Sequence, residues 1–415
     1  MRRQLLAVLI LLDAACGDSS GGGAADAAVD GAAAPDAGPE PPYLGPDHEM
    51  DLLPPLGELD YNHSNEVQLA VSGQRVAVAY LNLHFVSADD FATDGTFIRT
   101  LGVAVSEDGG DSFGAPMAAP AGRQPTDPNI RVDPDGVFWL ATFDFDTIGA
   151  GGQGIIAHSD DAVSWTTVVD GENFGDKNWM AIDPASGEVF VGAVDGWWRI
   201  DGDAITRDAT PGAQFVGGYA AGGEVALTQT TTGVVTRWDG AAPPVADGAP
   251  PAAVGPTFYH TVSMPLGPTA DGGEWFLRPT GDTTAAPLML FVAPASGATS
   301  DVGISGPYAL TFLPAAALDG EGRIHIVYYD SSGGAGRVLY THSTSSDFTA
   351  GFTEPLVVDD SAVPADFFPD IDTPSGARRV REYIDIQVVG SRAWIAWTHA
   401  PIAPSRVHVR FVQFE

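Results

Sequence analysis

Cysteine is almost missing from this chain: Cys16 is the only one in 415 residues, which excludes an intrachain disulfide as a source of stability. Lysine is equally scarce, with Lys177 standing alone, and Lys plus Arg total 19 against 54 Asp plus Glu. The formal charge of −35 disfavours a nucleic-acid partner, because phosphate binding needs clustered cations. No apolar run after residue 16 is long enough to cross a ~30 Å hydrocarbon core. Long helical periodicity, a Gly-x-Ser-x-Gly turn and His/Cys transition-metal spacing are also absent. The glycines from Gly149 to Gly154 lie between strand-like segments with no Lys-Ser/Thr after them, so they make no phosphate cradle.

What is plentiful is turn-forming. Fifty glycines and thirty-two prolines, with few charged residues between them, point to many short strands joined by turns. Ahead of these, Met1-Arg2-Arg3, the apolar run Leu5 to Leu12 and the small Ala14-Ala15 have the order of an export signal. Cys16 follows directly, where lipoproteins of bacteria carry the lipidated cysteine. Asp13 stands where that group usually has leucine. The alternative is an ordinary cleaved signal. Residues 17 to about 47 are almost all Gly, Ala, Ser, Asp and Pro, which offer little apolar surface to offset the entropy of ordering. As a flexible coil this stretch reaches roughly 30 Å, enough to act as a tether for a folded region spanning residues 48–415.

Across residues 48–415 the same unit keeps returning: an inner strand, a turn, an apolar alternating strand, then a third and often a fourth. Copies begin near Val67, Asn129, Trp179, Phe215, His260, Ala315 and Tyr383. The first runs into the octet Ser106-Glu107-Asp108-Gly109-Gly110-Asp111-Ser112-Phe113. Asp108 is placed to accept backbone N–H bonds, and the glycines tolerate positive φ. Ser159 to Trp165 is one residue short of the same pattern, and His342 to Phe348 keeps its outline.

The octet resembles the Asp-box turn of sialidase-like propellers. That resemblance implies an all-β propeller of four-stranded antiparallel blades, with these turns on the periphery and away from any ligand face. Counting starts favours seven blades, or six if the two weak middle copies within 200–310 are one. The last copy ends after three strands, so the ring is expected to close with a strand from the N-terminal side. Leu52 to Leu56 is placed to supply it.

Residues leading into the inner strands face the funnel of such a ring, and here they are polar. Glu66, Asp127, Asp176, Glu382 and Tyr383 are the candidate catalytic groups. Asn65, Asn129, Lys177, Asn178, His260 and Arg381 are the candidate ligand contacts. Convergence of such groups at one mouth suits a small-ligand site. The alternative is that they pair with one another around a wet channel. Sialidase chemistry itself requires three arginines gripping a carboxylate, a tyrosine nucleophile with its glutamate, and an aspartate acid/base. The family's early Arg-Ile/Leu-Pro motif is missing, Gly122-Arg123-Gln124-Pro125 is a poor stand-in, and Arg378, Arg379 and Arg381 crowd one loop. Asp133, Asp135, Asp144 and Asp146 form oxygen-rich turns of the kind Ca²⁺ prefers, though none has the twelve-residue loop spacing. Trp197-Trp198 and Phe367-Phe368 are candidates for an aromatic binding rim.

The expectation is an exported, lipid-anchored, monomeric propeller of the bacterial envelope that binds a glycan, peptide or protein at its funnel. A secreted protein is the alternative for location. A surface glycoside hydrolase working through the funnel carboxylates is the alternative for function.

Overall fold

A computed structural model describes residues 42–53, 61–87, 90, 97–120, 124–144, 152–175, 177–229, 234–247, 264–268, 274–280, 285, 287–293, 300–306, 309–332, 336–364, 383–401 and 404–414. Cys16 and residues 17–41 lie outside these residues, as do Asp146, Asp176, His260, Phe367, Phe368, Arg381 and Glu382, whereas 42–47, expected as the end of the tether, belong to the folded region. Among the described residues no helix is long and apolar enough to cross a membrane.

The chain forms seven antiparallel blades, a seven-bladed β-propeller. Inner strands are Tyr61–Ser72, Pro125–Val132, Trp179–Ile182, Phe215–Ala221, Met264–Pro268, Thr311–Leu318 and Asp385–Val389, for blades 1 to 7 in order. The region 200–310 holds two separate blades, the fourth and fifth, which settles the count at seven. Second strands such as Arg75–Phe85, Phe138–Asp144 and Ile324–Asp330 are buried along almost their whole length. Each blade is covered on both faces by its neighbours, so these strands read as near-continuous apolar runs. Outermost strands such as Ala204–Asp208 are exposed instead.

The core is therefore distributed among the seams. Val67, Val78 and Tyr80 of blade 1 pack on Trp394, Val407 and Phe411 of blade 7. On its other face, blade 1 meets blade 2 through Ala77, Leu101 and Val103 against Ile130, Phe138 and Leu140. Trp139 and Phe143 meet Val189 and Trp198 across the next seam. Clusters of the same kind join blades 3 and 4, 4 and 5, 5 and 6, and 6 and 7.

The octet turn behaves as its residues dictate. Asp108 Oδ1 accepts the Ser106 hydroxyl at 2.7 Å and the Ser112 N–H at 2.9 Å, and Oδ2 accepts the Ser112 hydroxyl at 2.5 Å. These bonds, the Ser112 hydroxyl first, hold the Asp108 carboxyl down at about 2. Its contribution to stability is thus present above its unfolded pKa and is lost as pH falls towards 2. The turn also serves the ring. Arg392 Nη1 and Trp394 Nε1 of blade 7 both donate to the Gly109 carbonyl at 3.2 Å. Arg75 of blade 1 donates to the Asp160 carbonyl in the matching turn of blade 2 at 2.9 Å. Arg199 of blade 3 does the same to Asp239 of blade 4 at 3.1 Å. In three places, then, an arginine of one blade grips the outer turn of the next.

Closure comes from the N-terminal side, but not from the segment the hydropathy indicates. Tyr43–Leu44 and His48–Glu49 pair with Arg406–Gln413, the last strand of blade 7. Leu52 and Leu53 are not in a strand, and 54–56 lie outside the described residues. Pro54 and Pro55 cannot donate to a ladder, which is why the pairing falls earlier. The compact unit accordingly begins at Pro41.

Candidate functional site

One register irregularity recurs around the axis. The inner strand slips against the second strand between Asn65 and Gln68, between Thr126 and Asn129, and between Phe312 and Ala315. Blades 4 and 5 slip over one residue, Val216 and Leu266. In blades 3 and 7 the strand begins at Trp179 and Asp385, which pair as Gln68 and Asn129 do. Counting back two residues from those pairs, and likewise from Gly217 and Ala315, puts Glu66, Asp127, Lys177, Phe215, Leu313 and Tyr383 at one position. The bulge of blade 5 lies nearer its hairpin, and blade 5 offers no described residue there. Blades 7, 1, 2 and 3 are contiguous and carry polar groups there, whereas blades 4 and 6 carry the apolar Phe215 and Leu313.

Backbone conformation marks the same position. Glu66, Asp127, Lys177 and Leu313 have φ of 49°, 46°, 63° and 46°. Side chains longer than Asn or Asp rarely adopt the left-handed region, and each instance costs about 1–3 kcal/mol. The bulge turns these side chains out of the alternation of the strand.

Four of the polar residues singled out in the sequence meet here. The Tyr383 hydroxyl donates to Asp127 Oδ1 at 2.6 Å, and Lys177 Nζ lies 3.2 Å from the same oxygen. Lys177 Nζ also sits 5.6 Å from the centre of the Tyr383 ring. Glu66 Oε2 accepts the Thr126 hydroxyl at 2.9 Å and the Asp127 N–H at 3.0 Å. Glu66, Asp127, Lys177 and Tyr383 are all buried, at 2%, 1%, 7% and 3% exposure, so this cluster is a closed floor rather than an open mouth. Asn129 ties blade 2 to blade 3: Nδ2 donates to the carbonyls of Asp127 and Asn178, and Oδ1 accepts the Met180 N–H. Asn65 and Asn178 are fully buried. Neither side-chain polar atom of Asn178 has a hydrogen-bond partner among the described residues.

Deeper along the inner strands is a second layer that the sequence pattern does not reveal. Asp385 Oδ2 accepts the Leu69 N–H of blade 1 and Arg131 Nη1 of blade 2, each at 2.9 Å, while Oδ1 accepts the Ile386 N–H at 3.0 Å. Arg131 also stacks 5.7 Å from the Trp179 ring of blade 3. The carboxylate thus joins blades 7, 1 and 2, and its arginine extends the link to blade 3. Burial pushes the Asp385 carboxyl above its usual range, and Arg131 offsets only part of that. The available signal is an acidic residue inside the apolar run Tyr383-Ile384-Asp385-Ile386; its partner, 254 positions away, leaves no local trace.

Other candidates fall elsewhere. Asp133 Oδ1 accepts the N–H groups of Asp135 and Val137, and Oδ2 accepts Trp139 Nε1. Asp144 Oδ1 accepts the Gln124 N–H at 2.7 Å, apart from that turn. Among the described residues no three His, Cys, Asp or Glu groups converge to hold a metal ion. Trp197 and Trp198 form no rim: they are 0% and 1% exposed. Trp198 packs 4.3 Å from Phe174 and Trp197 5.0 Å from Phe215, because a central strand has neighbours on both faces.

No family model matches the chain, and no curated protein matches it. Among solved structures it is similar to a protein of unknown function from Dyadobacter fermentans, with a TM-score of 0.50 and 12% identity over 89% of this chain and 98% of that one. It is also similar to an α-L-arabinofuranosidase from Fusarium graminearum, with a TM-score of 0.49 and 10% identity over 89% and 98% of the two chains. A family 117 glycoside hydrolase of Zobellia galactanivorans aligns at a TM-score of 0.34 and 12% identity over 89% and 90%. At these identities the likeness is one of fold alone.

Proposed function

We propose that this chain is an exported propeller, anchored through Cys16 and the tether that follows, which binds a glycan, peptide or protein ligand above the Glu66–Asp127–Lys177–Tyr383 floor. One observation carries the reading. Four contiguous blades set polar side chains at a position where blades 4 and 6 have Phe215 and Leu313, and three of those polar residues, Glu66, Asp127 and Lys177, are held with left-handed backbone. Backbone strain of this kind clusters at functional sites, and a glycine at Glu66, Asp127 or Lys177 would make the same turn without it. The chain's sole lysine lies among them.

The test is thermal unfolding of the full chain against neutral and acidic oligosaccharides, peptides and calcium. A ligand present at about a hundred times its Kd stabilises the native state by about 2.7 kcal/mol. Lys177→Met is expected to abolish the ligand's shift, read against the variant's own ligand-free midpoint, which should itself fall because Asp127 is left buried without its cation. A ligand shift that survives Lys177→Met moves the site away from the funnel. Anchoring has its own check. Cys16→Ser is expected to move the chain from the membrane fraction to the soluble fraction without altering its melting, and retention on the membrane would refute the anchor.

A second reading, a glycoside hydrolase, is favoured by the Tyr383–Asp127 hydrogen bond of 2.6 Å, which aims a hydroxyl at a carboxylate able to take its proton. Turnover of aryl glycosides that disappears in Tyr383→Phe would establish it.

A further inference from the structure

The strands that close the ring are only two residues long each, Tyr43–Leu44 and His48–Glu49. Short pairings of this kind give little ladder energy, so side chains decide how firmly the segment is held. Those side chains are ionisable. His408 Nδ1 lies 3.0 Å from Asp47 Oδ1, and its Nε2 is 3.9 Å from Glu49 Oε2. Arg406 Nε is 3.4 Å from Glu49 Oε1. Arg410 donates from Nε to the Gly45 carbonyl at 2.9 Å and from Nη1 to the Val358 carbonyl at 2.7 Å.

A second histidine stands behind the first. The rings of His399 and His408 are 4.7 Å apart. His399 Nδ1 is 2.7 Å from Asp359 Oδ2, on the outer strand of blade 6, and the same oxygen accepts Trp397 Nε1 at 2.8 Å. Asp47, Asp359, Asp360, His399 and Arg410 line one groove of about 480 Å³. Blade 6, blade 7 and the N-terminal segment therefore share a single electrostatic site.

We propose that this site is a proton-operated clasp, in which charged His399, with His408 beside it, holds Asp47 and Glu49 of the closing segment against blade 7, and loss of the proton loosens them. The sign follows from the groups around the ring. Burial opposes the charged form of His399, but the Asp359 hydrogen bond and the charges of Asp359, Asp47 and Glu49 outweigh it and raise its pKa above the ordinary value. A folded-state pKa raised in this way adds stability that is complete below about pH 6.5 and is lost as pH rises through the folded value. Asp47 and Glu49 belong to the closing segment, so the linkage is reciprocal: docking raises the histidine's proton affinity, and the proton strengthens docking. Arg406 and Arg410, which stay charged throughout, keep the segment from leaving altogether. The clasp is independent of any ligand at the funnel.

Two measurements on the full chain test it. Histidine ring NMR should show the His399 pKa falling in Asp47→Asn/Glu49→Gln. Hydrogen exchange, corrected for intrinsic rate, should show protection of the 43–51 amides dropping on the order of threefold or more between about pH 6 and pH 8.5, and staying level in His399→Gln. A His399 titration unmoved by the double substitution overturns the proposal, as does pH-independent protection in the wild type. Should His399→Gln fold poorly, the titration and the wild-type exchange still decide the matter.

Discussion

Asp385→Ala is expected to destabilise the folded protein by about 3–5 kcal/mol, a large effect for one side chain. The loss has two sources. Arg131, with only 17% of its side chain exposed, is left charged without its carboxylate, and the Leu69 N–H loses its acceptor inside the ring. Removing one partner of a buried pair costs more than the pair contributes over apolar replacements, because the survivor keeps its desolvation penalty. The raised pKa of Asp385 says the same from the other side: burial penalises the carboxylate more than Arg131 and the N–H groups reward it. Asp385→Asn keeps the shape and an acceptor oxygen, and should cost less than alanine. Denaturant unfolding of both variants checks this. Equal midpoints for Asp385→Ala and wild type would mean that the link across four blades contributes nothing.

How much of this is legible in the sequence depends on the range of each interaction. The repeat of inner strand, turn and apolar strand can be read because a blade is built from neighbours in sequence, and each copy carries its own alternation. The octet can be read for the same reason, since Ser106, Asp108 and Ser112 bond within one turn. Seven blades follow from counting, and the two faint copies are separate sheets. Glu66, Asp127, Lys177 and Tyr383 stand out as polar residues leading into inner strands, and they do converge. Their burial is not foreseeable, because it depends on how the inner strands of separate blades align around an axis. The Trp197-Trp198 pair misleads for a similar reason: adjacent side chains on a strand point to opposite faces, and in blade 3 both faces are covered. Arg131–Asp385 and the closing segment are hidden from any local reading, since their partners lie more than 250 residues away.

The closing segment also carries the other large expectation. Deleting residues 42–53 should lower the unfolding midpoint sharply and leave the protein prone to associate. Met50 and Leu53 are 2% and 8% exposed, and losing two such side chains alone removes roughly 3–6 kcal/mol of burial. The Gly45 and Met50 N–H groups also bond to the carbonyls of Phe411 and Val407, and the Tyr80 hydroxyl to the Asp51 carbonyl. Without the segment, Arg406–Gln413 becomes an uncovered edge strand with free donors and acceptors, the usual template for pairing between chains. Calorimetry together with size-exclusion chromatography would separate the two consequences, and deletion of residues 17–41 provides the control, with melting expected to stay unchanged. A ring closed by blade contacts alone would melt alike with or without residues 42–53. A ring held shut by its N-terminal strands should instead lose its seam between blades 7 and 1 first, because Met50 packs there with Val67, Trp394 and Val407.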